Sequence, residues 1–205
     1  GFTISNLTVK VTGNSPAGLF GDTSGATIKN VTVKNVNISG NYRAAGIVAH
    51  GLCLRMENCH VDGGSISSTP WKASGDKYDD ANQVGGLVGY LTAQNTAWAK
   101  DGSAKNLTIK AYRDVAGIAG MAQYGAVVTG NTVENVKVSA IRLVQYVEEK
   151  EANVGVVVGR ISGSPVIEDN VEAASEATVV APDVNGKVVL PEGTSVEYLA
   201  KLVDG

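Results

Sequence analysis

Six short stretches of the chain alternate apolar and polar residues with period two. They are Ile4-Ser5-Asn6-Leu7-Thr8-Val9, Ile28-Lys29-Asn30-Val31-Thr32-Val33, Met56-Glu57-Asn58-Cys59-His60-Val61, Ala104-Lys105-Asn106-Leu107-Thr108-Ile109 and Val133-Glu134-Asn135-Val136-Lys137-Val138. The sixth, Ile167-Glu168-Asp169-Asn170-Val171-Glu172, carries one extra residue. This alternation predicts strands with one buried face. Between them sits a second pattern, a short apolar run flanked by small residues. Its copies are Ala17-Gly18-Leu19-Phe20-Gly21, Ala45-Gly46-Ile47-Val48-Ala49, Gly85-Gly86-Leu87-Val88-Gly89 and Ala116-Gly117-Ile118-Ala119-Gly120. A looser fifth, Val154-Gly155-Val156-Val157-Val158, has its last glycine one place late, at Gly159.

Successive asparagines of the first pattern, from Asn6 to Asn170, are spaced by 24, 28, 48, 29 and 35 residues. A unit of this size, with two or three short strands, cannot bury its apolar face alone. Stacked units can, which predicts a parallel β-solenoid with one unit per coil. Asparagine suits a corner because it tolerates the left-handed backbone. Its amide can also bond the same amide one coil away, so Asn30, Asn58, Asn106 and Asn135 are expected to form one ladder. The repeated glycine permits positive φ and close approach of neighbouring coils. Asn-x-Ser/Thr matches at Asn6, Asn30, Asn37 and Asn106 read as by-products of the repeat rather than glycosylation acceptors.

Three segments break the pattern. Residues 67–83 carry Trp71, Asp76, Tyr78, Asp79 and Asp80; residues 92–103 carry Trp98; residues 141–153 carry Tyr146, Glu148, Glu149 and Glu151. The first and third leave from the same corner two coils apart, where the unexpanded coils place Tyr42-Arg43 and Tyr112-Arg113. Tyr42, Trp71, Tyr78, Tyr112 and Tyr146 are therefore expected to line one edge, able to stack on sugars or grip a protein. Both tryptophans packing their own loops onto the solenoid is the plainer alternative. After about Val180 the pattern ends. Residues 187–190 read as a strand, and Thr194-Ser195-Val196-Glu197 is a capping box that opens a short C-terminal helix. Residues 1–180 are thus the solenoid, and 181–205 a cap or the start of a further module.

Composition fits an all-β chain: 18% charged residues and 25 glycines in 205. A net charge of −3 argues against nucleic acid as a partner. No apolar run approaches the roughly 18 residues of a spanning helix, so membrane insertion is not expected. No signal peptide is present, and the opening on Gly1-Phe2-Thr3 reads as a mature or trimmed chain, expected to be monomeric within a larger one. Cys53 and Cys59 read as buried free thiols, with no paired spacing for zinc.

The Gly-Leu-x-Gly anchors, quoted best by Gly18-Leu19-Phe20-Gly21 and Gly86-Leu87-Val88-Gly89, together with the asparagine strands, resemble the GLUG repeat over about residues 1–175. The resemblance implies a right-handed parallel β-helix, here of about six coils, in large exported bacterial surface proteins. Similar repeats occur beside the protease domain of IgA-specific metallo-endopeptidases and in adhesins of Bacteroides-like gut bacteria. No His-Glu-x-x-His is present, so the protease chemistry is not carried, and no cofactor or metal site is expected. His60 is expected to face outward between inward Cys59 and Val61. The expectation is a secreted or cell-surface adhesion module without catalysis, whose partner is a host or dietary glycan or a host or matrix protein. Two alternatives stay open. One is a carbohydrate-active β-helix enzyme using paired carboxylates such as Asp79 and Glu149; the other is a purely structural spacer.

Overall fold

A computed structural model describes residues 1–69, 72–74, 77–78, 82–93, 96–141, 153–182, 188–189 and 201–202. These residues are all-β, with no helix among them. Apart from one two-stranded hairpin, the described strands form four sheets that the chain visits in a fixed order. Sheet I is built on Phe2–Ser5, Val31–Gly40, His60–Ser68, Ser103–Ala111, Lys137–Ile141 and Glu176–Pro182, with the short strands Thr8–Lys10, Thr132–Glu134 and Val171–Ala173. Sheet II holds the short strands Ala44–Ala45, Gln83–Gly85, Asp114–Ala116 and Asn153–Gly155. Sheet III holds Phe20–Ser24, Val48–Leu52, Val88–Thr92, Ala119–Gln123 and Val158–Ser162. Sheet IV holds Thr27–Lys29, Arg55–Glu57, Trp98–Lys100, Val127–Thr129 and Val166–Glu168. Each return to a sheet pairs parallel with the strand laid down one turn earlier. This arrangement fits a parallel β-helix.

Like side chains therefore stack on like. Ile38, Ile66, Ile109 and Val138 are consecutive inward positions of sheet I, each at most 1% exposed. On sheet IV the inward column is Ile28, Met56, Ala99 and Val128. Each large side chain buried this way contributes about 1.5–3 kcal/mol.

The glycine anchors owe their composition to close approach alone, since none of them has positive φ. A Cβ on Gly86 would stand 2.0 Å from the Gly117 carbonyl oxygen, and one on Gly117 would stand 2.3 Å from that of Val156. At Gly46, Gly86 and Gly117 the nearest clash comes from the carbonyl of the next turn. Register puts Val156 itself in this column, because Gly155 pairs with Ala116. The last glycine of the fifth copy, Gly159, is thus in step with Gly120; the missing one is the first.

The asparagines form two ladders rather than one. At the sheet IV–sheet I corner, Asn58 Nδ2 donates to Asn30 Oδ1 at 2.7 Å. At a bend within sheet I, Asn135 Nδ2 donates to Asn106 Oδ1 at 2.8 Å, and Asn35 Nδ2 to Asn6 Oδ1 at 3.3 Å. Between them this column holds Gly63, and the neighbouring Asp62 accepts from Asn106 at 2.7 Å. Asn6, Asn35, Gly63, Asn106, Asn135 and Ala174 all have positive φ, as do Asn30, Asn58, Asp101, Gly130 and Asp169 at the other corner. Two corners of one turn make the same backbone demand, so one short motif marks both.

Cysteine substitutes for asparagine at a third, inward position. Asn131 Nδ2 donates to Thr129 O and Ala99 O, two residues and one turn back. Asn170 does the same to Glu168 O and Val128 O. Buried Cys59 directs its thiol at Glu57 O and Ile28 O. Cys59 and Cys53 are both free, and Cys53 is only half-buried, at a corner with φ of 50°.

Two further expectations change. Residues 92–103 are not an excursion throughout, because Trp98–Lys100 is a regular strand of sheet IV. In the expected C-terminal helix, Lys201–Leu202 form a strand beside Arg160–Ile161; the capping box lies outside the described residues. An isolated helix this short is marginal, whereas the sheet III edge offers unpaired backbone groups. Sheet I runs on to Pro182, and Val188–Val189 pair antiparallel with its end.

Candidate functional site

The two excursions both leave sheet I and re-enter at sheet II. The first departs after Ser68 and returns at Gln83; the second departs after Ile141 and returns at Asn153. Their bases are joined by a column of polar side chains at the start of sheet II. Register aligns Arg43, Gln83, Asp114 and Asn153 on four successive turns. Arg43 Nε donates to Gln83 Oε1 at 2.9 Å, and Gln83 Nε2 to Asp114 Oδ2 at 3.3 Å. From the other side Asn153 Nδ2 donates to Asp114 Oδ1 at 2.8 Å. Arg113 Nε and Arg160 Nη1 stand 3.8 and 3.9 Å from Oδ2.

Asp114 is fully buried. Burial pushes its carboxyl above the ordinary carboxylate range, against the opposing pull of Arg113, Asn153, Arg160 and Gln83. Two amide donors and two guanidinium groups around one carboxylate are what a buried charge requires.

The adjacent column fixes the tyrosines. Buried Asn82 donates to Ser68 Oγ at 2.8 Å and to the Tyr42 carbonyl at 3.3 Å, and accepts from the Tyr112 backbone N–H at 2.9 Å. Ser68 Oγ also donates to Tyr42 O at 2.6 Å. One buried amide thus ties down a tyrosine on each neighbouring turn. The equivalence expected between Tyr42-Arg43 and Tyr112-Arg113 is off by one residue: Arg113 aligns with Tyr42, and Asp114 with Arg43. Strand Asp114–Ala116 begins a residue earlier than Ala44–Ala45, which carries the carboxylate into the buried column.

From this base a half-buried cluster reaches the outer face of sheet III. The Arg43 guanidinium carbon lies 4.7 Å from the Tyr42 ring centroid and 4.6 Å from that of Tyr90. The His50 ring stacks on Tyr90 at 5.3 Å with 8° between planes, and its Nδ1 is 2.7 Å from Asp22 Oδ1. The Tyr90 hydroxyl donates to Gln123. Desolvation, then the Arg43 charge, push the His50 imidazole below its ordinary value, while Asp22 pulls the other way. Asp22, His50 and Tyr90 are in register on three turns. Such a surface offers flat amphipathic rings, a guanidinium and a carboxylate on a stiff backbone, which suits binding of a polar ligand.

Of the five residues expected at this edge, Tyr42 and Tyr112 are brought together through Asn82. Tyr78 lies on a small hairpin, Lys72–Ser74 with Lys77–Tyr78, within the first excursion. Trp71 and Tyr146 lie outside the described residues, as do Asp76, Asp79, Asp80, Glu148, Glu149 and Glu151. Sequence reasoning missed Arg43, His50 and Tyr90 as one group. The available signal was their place: His50 and Tyr90 each follow directly on an apolar anchor, at the first outward position. His60, between buried Cys59 and Val61, contacts Ser103 Oγ and Asn58 Oδ1 at 2.9 Å each. Among the described residues no three His, Cys, Asp or Glu side chains converge as a metal site.

No family model matches the chain. It is similar to two curated proteins, both named immunoglobulin A1 protease. The protein from Streptococcus sanguinis is 30% identical over 142 residues, covering 57% of this chain and 8% of the relative. The protein from Streptococcus pneumoniae is 27% identical over 191 residues, covering 82% of this chain and 9% of the relative. The chain therefore spans less than a tenth of the length of these relatives. No solved structure matches.

Proposed function

We propose that this chain is a non-catalytic binding module of a secreted or cell-surface bacterial protein, folded as a right-handed parallel β-helix with GLUG-type repeats. The observation that carries this reading is the tyrosine–arginine edge. Tyr42, Arg43 and Tyr90 are held together on neighbouring turns, and Asn82 and Gln83 fix their backbone and side chains from below. Tyr112, Trp71, Tyr78 and Tyr146 extend the edge in this reading. Rigid aromatic faces beside a guanidinium favour sugars and protein hot spots at little entropic cost. The partner is a host or dietary glycan or a host or matrix protein, and the role is adhesion. Similarity to a stretch of two streptococcal proteins named for immunoglobulin A1 proteolysis supports the location, and the chain itself has no His-Glu-x-x-His.

The test is an array of host and plant glycans, mucins and matrix proteins, probed with the wild-type chain, Tyr42→Ala and Trp71→Ala at matched folding. Selective, saturable binding that weakens about tenfold or more in either variant is expected. A blank array, or a hit that both variants retain in full, overturns the reading and leaves the spacer.

A further inference from the structure

The outer face of sheet IV carries a second surface, separate from the tyrosine edge. Its inward positions, Met56, Ala99 and Val128, are at most 1% exposed, so the alternate positions Arg55, Trp98 and Val127 point outward. Register places Arg55, Trp98, Val127 and Val166 side by side on four successive turns. Trp98, Val127 and Val166, the last 42% exposed, form an apolar stripe along the stack. Parallel strands are about 4.8 Å apart, comparable with the length of one pyranose unit.

Two cations attend the indole. The Arg55 guanidinium carbon is 5.7 Å and the Lys100 Nζ 5.3 Å from its ring centroid. Arg55 Nη2 donates to Thr96 Oγ1 at 3.3 Å. Among the described residues no carboxylate lies in ion-pair range of Arg55 or Lys100. Glu57, across from Lys100, is paired with Lys29 at 2.6 Å on the previous turn. Of the three cations on these strands only Lys29 is ion-paired among the described residues, in a chain whose net charge is −3. The two cations suit an anion, and a ring with a C–H face is what an indole continued by two valines accepts.

We infer that the Arg55–Trp98–Lys100 face binds an acidic glycan, one sugar ring lying on Trp98 and its carboxylate or sulfate between the two cations, with the polymer running along the Trp98–Val127–Val166 stripe. The site uses none of the residues of the tyrosine edge. It requires that the module be a binding protein, but not that the tyrosine edge bind anything.

The experiment follows Trp98 fluorescence in the full chain bearing Trp71→Phe. The probes are a sulfated glycosaminoglycan hexasaccharide, a sulfate-free uronate oligosaccharide and a neutral oligosaccharide of equal length. Saturable change with at least one acidic probe, and none with the neutral one, is expected; which acidic probe wins separates sulfate from carboxylate. Affinity should fall with rising salt. Arg55→Gln/Lys100→Gln should weaken it about tenfold or more, as should Trp98→Ala followed by calorimetry, while Tyr42→Ala leaves it unchanged. Trp98→Phe keeps an apolar ring should the alanine variant unfold, and it should retain part of the affinity. Unchanged affinity in the double variant, binding of the neutral probe alone, or acidic binding lost on Tyr42→Ala would each overturn the inference, the last leaving the module reading intact. Silence with all three probes overturns it too, and the array described above then decides separately whether the module binds at all.

Discussion

The asparagine corners and the buried column at sheet II solve the same problem differently. Both must satisfy polar groups where the chain bends. At the corners Asn58 meets Asn30 and Asn135 meets Asn106: the same side chain on adjacent turns, exposed, with the backbone in the left-handed region. At sheet II the column is Arg43, Gln83, Asp114 and Asn153, a different side chain on every turn, closed around a carboxylate with no exposure. A corner ladder can lose a rung, and it does at Gly63, where Asp62 fills in. The buried column has no such slack, because each member is the partner the next one needs.

The largest effect is therefore expected at Asp114. Asp114→Ala leaves Arg113, Arg160, Gln83 and Asn153 facing a void, and should cost about 3 kcal/mol or more in urea unfolding. Its pH dependence has a definite sign. The folded state holds the Asp114 proton more tightly than the unfolded chain does. Wild type should thus lose stability relative to Asp114→Asn as pH rises from the ordinary aspartate value of 3.8 upward. A gap independent of pH would remove the buried carboxylate from the account.

Next in size is the glycine column. Gly86→Ala puts a methyl 2.0 Å from the Gly117 carbonyl oxygen and should cost about 2–3 kcal/mol. A cost near zero would mean that the carbonyl of the next turn is not what selects glycine here.

A corner rung is worth less. Asn58→Ala loses one exposed amide bond and strains a residue with φ of 50°, for about 1–2 kcal/mol. Asn58→Gly relieves the strain and should recover part of that. A loss as large as that of Asp114→Ala would erase the contrast between the two regions.

The smallest effect belongs to His50. Its folded imidazole binds a proton more weakly than the unfolded one, so its contribution is complete above the ordinary value of 6.5 and lost as pH falls through the lower folded value. Unfolding midpoints at about pH 8 and about pH 5.5 should show wild type losing ground to His50→Gln on acidification.

The same contrast explains what the sequence discloses. Gly46, Gly86 and Gly117 recur because one carbonyl presses on each in turn, so the stacked parallel strands were legible from spacing alone. Asn30 and Asn106 were legible as corners but not as different corners, since the local motif carries the backbone conformation and not its place in the turn. Cys59 concealed its equivalence to Asn131 because a thiol and an amide reach the same carbonyls without looking alike. The buried column was illegible: Arg43, Gln83, Asp114 and Asn153 share no residue type, and the excursions between them shift their spacing. With it went the grouping of Arg43, His50 and Tyr90, although the expected Tyr42 and Tyr112 both bond to Asn82 beside it.

The claim that buried rungs hold a surface for binding is tested most directly by the affinity of Asp114→Asn for the ligand returned by the array, measured where the variant is fully folded. Asp114 is fully buried, out of reach of a ligand on the surface. A loss of about 0.5–2 kcal/mol, or roughly two- to thirtyfold in Kd, is predicted, because the bases of both excursions and Arg43 are held through it. Wild-type affinity in a folded Asp114→Asn chain would contradict the account.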